Sequence, residues 1–409
     1  MQNGDTFVPF YGGFFASPVP LELSFNWCSH NCHYCFANLS KPNRRSDIGA
    51  TVNLLQNYRS RSTLEAKLLQ QGYPTLVSNR VDPFAASNYR QSLPVLEMMC
   101  ELGLPLSFQT KGGRGINETL DILKAPTVWY ITIETDQNEL AKQIAPGAPS
   151  IDERFELIDL LISRGHFVCV GINPCVPEWF NDDRAFLQRL YDAGVWGVWC
   201  QELHFNTNQL RNMPPRGKDA IGPELIKRCS KKKVELVDYH YADQMAEWAQ
   251  EIGLEPFVDG QCRRSNYWDV FFACYEKTFP TQQEFINWCH DELKTGDTIT
   301  FSDYLAFWEG ELPEGIMQLG HYICSQNYSL CKALAQESGR KWDHKMTYAD
   351  LLGLSFGDTR IPFSPGSTLG FRYAVTPQGE TWVDEAGQPI LVWMGGESST
   401  ELTTVVEDL

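Results

Sequence analysis

Long apolar runs are missing from this sequence. No stretch reaches the roughly 18 apolar residues that a membrane-crossing helix needs, so no membrane-spanning segment and no membrane partner are expected. The opening MQNGDTFVPFYGGFF has neither a basic start nor a continuous apolar core, so no export signal is expected and the location reads as cytoplasmic. Cationic charge is scarce too: 34 Lys and Arg stand against 51 Asp and Glu, a formal net charge of −17. A field of that sign repels polyanions, so any nucleic-acid contact needs a local basic patch. Only KRCSKKK (227–233) and the Arg pairs at 44–45 and 263–264 offer one. Repeats and low-complexity tracts are absent as well. What remains, 43% hydrophobic and 21% charged residues over 409 positions, is the composition of a soluble globular chain able to bury a large core. With export excluded, its 13 cysteines read as reduced thiols or metal ligands rather than disulfides.

Apolar strand-like runs and amphipathic helical stretches alternate over the first 200 residues. The runs are LELSFNW (21–27), TLVSN (75–79), LPLSFQT (104–110), TVWYITI (127–133), FVCVGIN (167–173) and VWGVWCQ (195–201). Helical patterns between them include YRQSLPVLEMMCELG (89–103) and IDERFELIDLLISRG (151–165), each ending in a glycine suited to the left-handed C-terminal position. Ser150 and Glu153 have the spacing of a capping box. This alternation predicts a parallel α/β sheet, either barrel or doubly wound, and six strands fit an incomplete barrel. Chemistry in such sheets gathers past the strand ends, where Cys28, Ser78, Lys111, Glu134, Asn173 and Gln201 stand. VDGQC (258–262) reads as a last strand. Composition then changes, dividing the chain into a barrel (1–260), an aromatic-rich helical extension (261–345), and a β-rich C-terminal region with a loose acidic tail (346–409). The segment FRYAVTPQGETWVDEAGQPILVWM reads as three strands joined at PQGE and EAGQ.

The densest chemistry is CSHNCHYCF (28–36), with cysteines at 28, 32 and 35 directly after the first strand. Structural zinc wants four ligands, commonly two separated pairs. No second CxxC follows, although His30 or His33 offers a fourth ligand. Three cysteines on one short loop suit instead a 4Fe-4S cluster with one iron left open to chelate a cosubstrate.

The spacing resembles the CxxxCxxC signature of radical S-adenosylmethionine (SAM) enzymes. The resemblance implies a partial (β/α)6 TIM-like barrel with a C-terminal α+β extension, a 4Fe-4S cluster on Cys28, Cys32 and Cys35, and S-adenosyl-L-methionine as cosubstrate. It also implies an external one-electron reductant and a 5′-deoxyadenosyl radical that abstracts hydrogen from substrate. The tracts CHYCFAN, LVSNRVDPFA, FQTKG, YITIE and IAPGAPSIDERFELIDLLISRG are similar to the spore photoproduct lyase-like branch. Matched residue by residue, that branch places Ser78, Lys111 and Thr132 on SAM and the Phe36 backbone on its adenine. Arg154 reads as a surface arginine. A Gly-Gly-Glu tract common after the second strand in this superfamily is replaced by SNR. Leu76 stands where photoproduct lyases keep a hydrogen-donating cysteine, which argues against repair of a thymine photodimer. Cys175 and Tyr34 are the substitute donors. Return of the hydrogen by 5′-deoxyadenosine would need neither, and that is an isomerisation. The resemblance thus implies a DNA or nucleotide base as substrate, a thymine-like base hypermodified by a phage-type isomerase. The alternatives are a peptide-modifying radical enzyme, a photolesion lyase and a zinc-stabilised binding protein. Cys262, Cys274, Cys289, Cys324 and Cys331 show no compact spacing for an auxiliary cluster and read as buried thiols.

Overall fold

The computed structural model describes residues 7–9, 21–23, 27–35, 48–77, 81–203, 205, 207–229, 239–258, 269–272, 274–275, 282–312, 314–315, 317, 347–356, 370–395 and 403–407. Strands β1 (Phe7–Pro9), β2 (Leu21–Leu23), β3 (Thr75–Val77), β4 (Leu106–Thr110), β5 (Val128–Thr132), β6 (Phe167–Cys175), β7 (Gly197–Glu202) and β8 (Glu255–Val258) form one sheet in chain order. β1 pairs antiparallel with β2, and every later neighbour pairs in parallel. The six runs read from the sequence are β2 to β7. β8 extends the parallel series, and it starts at Glu255 rather than at 258 because EPFV lies alongside Gly197–Cys200. The architecture is the expected α/β partial barrel.

Helices fill the crossovers that parallel strands require. Ser150 Oγ accepts from the Glu153 amide (3.2 Å) while Glu153 Oε2 accepts from the Ser150 amide (2.7 Å), so the helix Ile151–Ser163 starts on its capping box. Gly103 and Gly165 end two crossover helices with φ of 70° and 81°, a region costly for residues that carry a Cβ.

Register separates the two faces of the sheet. Ile172 pairs with Cys200, and the helix Tyr239–Ile252 brings Tyr241 beside Cys175 and Cys200, so this face looks toward the flanking helices. Leu76, Ser107, Gln109, Tyr130, Thr132, Cys169 and Gly171 share the opposite, inner face. Gly171 has a local reason: an added Cβ would lie 2.0 Å from the Tyr130 ring. The short helix Asp269–Phe272 covers part of this inner face, where Ser107 Oγ donates to the Phe271 carbonyl and the Tyr130 and Phe271 rings lie 5.7 Å apart.

A second sheet runs β12 (Thr403–Val405), β10 (Phe371–Val375), β11 (Leu391–Trp393), β9 (Thr298–Ile299). Turns stand where PQGE and EAGQ place them, with Gly379 at φ 84° and Gly387 at φ 75°. The middle of the three expected strands shrinks to isolated bridges at Thr381 and Val383. Two features depart from the sequence reading. β9 comes from the stretch expected to be helical and pairs with β11, and β12, inside the expected loose tail, pairs in parallel with β10. The β-branched run TTVV suits such a strand.

Candidate cofactor site at the barrel mouth

The cysteine loop is held by its neighbours rather than by its own secondary structure. Asn31 takes a left-handed conformation (φ 53°) between Cys28 and Cys32, and the Cys35 amide donates to the Cys32 carbonyl at 3.2 Å. The segment before helix Ile151–Ser163 grips the loop. His33 N donates to Ile144 O (2.8 Å), Gly147 N donates to His30 O (2.9 Å), and His30 Nδ1 donates to Gly147 O (2.9 Å). Only glycine fits at 147, where a Cβ would stand 2.0 Å from the Ser29 carbonyl oxygen. On the other side Ser29 and Ser87 exchange hydrogen bonds of 3.0 and 3.1 Å, backbone amide to hydroxyl in both directions.

His30 is the staple. Its Nε2 lies 3.0 Å from Asp82 Oδ2, and the pair is buried. Both ring nitrogens are thereby engaged, one on the Gly147 carbonyl and the other on the Asp82 carboxylate. His30 therefore serves the shape of the loop and has no nitrogen left to ligate zinc. Asp82 also accepts from Thr110 Oγ1 (2.8 Å), Lys111 N (2.7 Å) and Phe84 N (2.9 Å). Burial alone would raise its carboxyl, but His30 and these donors outweigh burial and hold it below the usual carboxylate range.

The thiols sit in the opposite regime. Burial pushes Cys32 up to about 12, and burial, with Asp82 and Cys32 nearby, carries Cys28 well above its ordinary value. Such thiols lose their protons to a metal, whose charge replaces the proton's. Among the described residues no three His, Cys, Asp or Glu side chains converge as a single-ion site. A four-iron cluster does not ask for that, because each cysteine ligates a different iron.

Beneath Cys32 lies a buried ionic triad. Lys111 Nζ donates to Glu134 Oε2 at 2.9 Å and Arg154 Nη1 donates to the same oxygen at 2.7 Å. Arg154, on helix Ile151–Ser163, also donates to the carbonyls of Thr132 (3.0 Å) and Pro149 (3.1 Å). Lys111 is 8% exposed, and Glu134 and Arg154 are 0% exposed. Burial would raise the Glu134 carboxyl, but Arg154 and Lys111 outweigh it and hold it at about 2. Lys111 Nζ stands 5.4 Å from the centroid of the Tyr34 ring, which is itself 5.9 Å from Trp179. Burial, with Cys32 and Glu134 nearby, keeps the Tyr34 hydroxyl protonated well past its ordinary range. Glu134 also faces the Tyr34 hydroxyl, and the buried Arg154 Nη2 has no hydrogen-bond partner within the protein. An orphaned guanidinium N–H beside the Lys111 ammonium fits an anionic ligand group such as the carboxylate of SAM.

The structure thus gathers Cys32, Tyr34, Lys111 and Thr132 at one end of the barrel. Arg154, expected at the surface, is instead fully buried, because Glu134 and the Thr132 carbonyl draw it inward. Ser78 and Phe36 lie outside the described residues, as do Lys231–Lys233, both Arg pairs, Cys262, Cys324 and Cys331. Cys175 closes β6 at the C-terminal edge of the sheet, 3% exposed with its thiol among Cys200, Glu202 and Asp183. The sequence reading missed the His30–Asp82 staple and the binding of Glu134 to two cations. An aspartate before proline just past a strand, VDP, was the available signal for the first.

Residues 23–190 match the radical SAM superfamily. This stretch is a radical SAM domain. Its cofactors are a 4Fe-4S cluster and SAM, and the three cysteines and the buried cationic groups beside them fit both. The chain is 24% identical over 221 residues to the radical SAM Nalpha-GlyT isomerase of Pseudomonas phage M6, covering 52% of this chain and 45% of that protein. It is 25% identical over 209 residues to an uncharacterized protein of Mycobacterium tuberculosis, covering 46% of this chain and 61% of the other. The chain therefore spans about half the length of the curated relatives it matches. Among solved structures, Streptococcus suis SuiB bound to S-adenosylmethionine is similar at 13% identity and a TM-score of 0.42, over 64% of this chain and 53% of that one. Spore photoproduct lyase complexed with dinucleoside spore photoproduct is similar at 12% identity and a TM-score of 0.40, over 60% and 79%.

Proposed function

We propose that this radical SAM enzyme isomerises a modified thymine-like base during hypermodification of viral DNA. The observation that carries the reading is the inner face of the barrel. Leu76, paired with Ser107, fills the position where a hydrogen-donating cysteine would face the lumen. Among the described strand residues the one thiol on that face is Cys169, near the N-terminal end of β6, and its Sγ is 3.1 Å from the Gly197 carbonyl. An inner face without a donor thiol at the mouth suits a reaction that returns the hydrogen it removes. The name of the phage relative, an Nalpha-GlyT isomerase, supports the same class.

When bound, the cluster and SAM supply a 5′-deoxyadenosyl radical, driven by one electron from an external reductant. The residues of the chain hold and shield. Cys28, Cys32 and Cys35 would ligate iron. Lys111 would meet the carboxylate of SAM and Thr132 one of its remaining polar groups. Tyr34 and Trp179 wall the mouth against water. Burial keeps the Tyr34 O–H and the Cys175 S–H protonated at neutral pH, so both stay substitute donors.

Deuterium at the reacting carbon of the substrate is expected in both product and recovered SAM, with SAM turned over catalytically. Release of one 5′-deoxyadenosine per product would overturn isomerisation. A pulldown that retained peptides and not duplex DNA would overturn the substrate class.

A further inference from the structure

Lys111, Glu134 and Arg154 do more than bind a cosubstrate. Two cations share one carboxylate oxygen at 2.9 and 2.7 Å, and none of the three is more than 8% exposed. The group therefore carries one formal positive charge in excess, out of contact with water. It lies against the cysteine loop, with Lys111 Nζ 5.4 Å from the centroid of the Tyr34 ring. Both cations act on Cys32 through space, and Glu134 acts with the opposite sign. Charges so placed are poorly screened by salt and solvent. Reduction of a cluster on Cys28, Cys32 and Cys35 takes one electron from the external reductant, adds one negative charge and needs no proton. Net charge and burial around the sulfurs are among the terms that set such potentials.

We infer that the Lys111–Glu134–Arg154 triad is the chain's device for making the cluster reducible: its excess positive charge, held beside Cys32, favours the reduced state. Glu134 sets the size of the effect by cancelling one of the two cations, and Arg154 is the cation that remains when Lys111 turns to a bound carboxylate. The inference rests on the radical SAM domain and holds for any substrate, so it stands or falls apart from the proposed isomerisation.

The test is a potentiometric titration of reconstituted protein without SAM or substrate, read by the EPR signal of the reduced cluster. Arg154→Gln is expected to lower the ratio of reduced to oxidised cluster at a fixed potential about tenfold, a shift of about 59 mV downward. Glu134→Gln, which unmasks a cation, is expected to raise that ratio by a similar factor. The double variant restores the original excess of one positive charge and is expected to return toward the unsubstituted protein. A merely structural role would make the double variant the worst of the three. Shifts in the same direction for both single variants, no shift in either, or a double variant displaced further than both would overturn the inference. If Arg154→Gln fails to retain iron, Glu134→Gln decides alone, an upward shift supporting the inference and a null or downward one overturning it.

Discussion

The barrel mouth buries charge, while the core beside the second sheet buries rings. At the mouth His30, Asp82, Lys111, Glu134 and Arg154 are all buried. Around the second sheet the buried side chains are Phe285, Tyr304, Trp308, Phe371 and Trp393, with Phe285 within 4.9 to 6.3 Å of the Tyr304, Trp308 and Phe371 rings. Among the described residues no buried polar or charged side chain lies beyond Gln209. Ring packing is bulk apolar burial and stabilises wherever it occurs. Charge burial is different, since desolvation offsets much of the Coulombic gain and an apolar replacement is often no worse for stability. Five buried ionisable groups at one end of a sheet therefore point to a ligand that needs them.

That contrast can be broken from either side. The largest expected effect falls in the aromatic core: Trp308→Ala should cost about 3–5 kcal/mol, the range for removing a buried large aromatic. It is read as a lower denaturation midpoint, with iron content per folded molecule unchanged. Equal losses of stability and iron would show that the two regions are not separable. Lys111→Ala should leave iron loading intact and weaken SAM binding by about 1.5–3 kcal/mol, as for a lost hydrogen bond to a charged group, measurable by calorimetry. Unchanged affinity would remove Lys111 from the SAM site. The smallest effect is in pH. The folded Glu134 carboxyl is held at about 2 against an ordinary 4.5. Its folded value is depressed, so its contribution is complete above about pH 4.5 and is lost as pH falls toward 2. Cluster-free protein should lose stability across that window more steeply than the Glu134→Gln variant, and equal slopes would deny the ionic role.

The two regions were also unequally legible in the sequence. Strands β2 to β7 announce themselves as apolar runs between capped helices, because local pattern and burial agree there. β12 was hidden, since its partner β10 lies some thirty residues upstream and nothing local in GGESSTELTTVV encodes a parallel pairing. At the site, the cysteine spacing is a local signal and was readable. Arg154 was not: in DERF it looks like any helix-start arginine, and its burial depends on Glu134, 20 residues away in sequence. His30 finds Asp82 across 52 residues, a distance that no motif on one loop reveals.

The most direct test of the central claim is the low-temperature EPR spectrum of reduced, iron-reconstituted protein with and without SAM. A reduced four-iron signal whose shape changes when SAM is added, and which vanishes in the Cys28→Ala, Cys32→Ala, Cys35→Ala triple variant, is the expected result. A triple variant that kept its iron, or a wild-type signal indifferent to SAM, would contradict it.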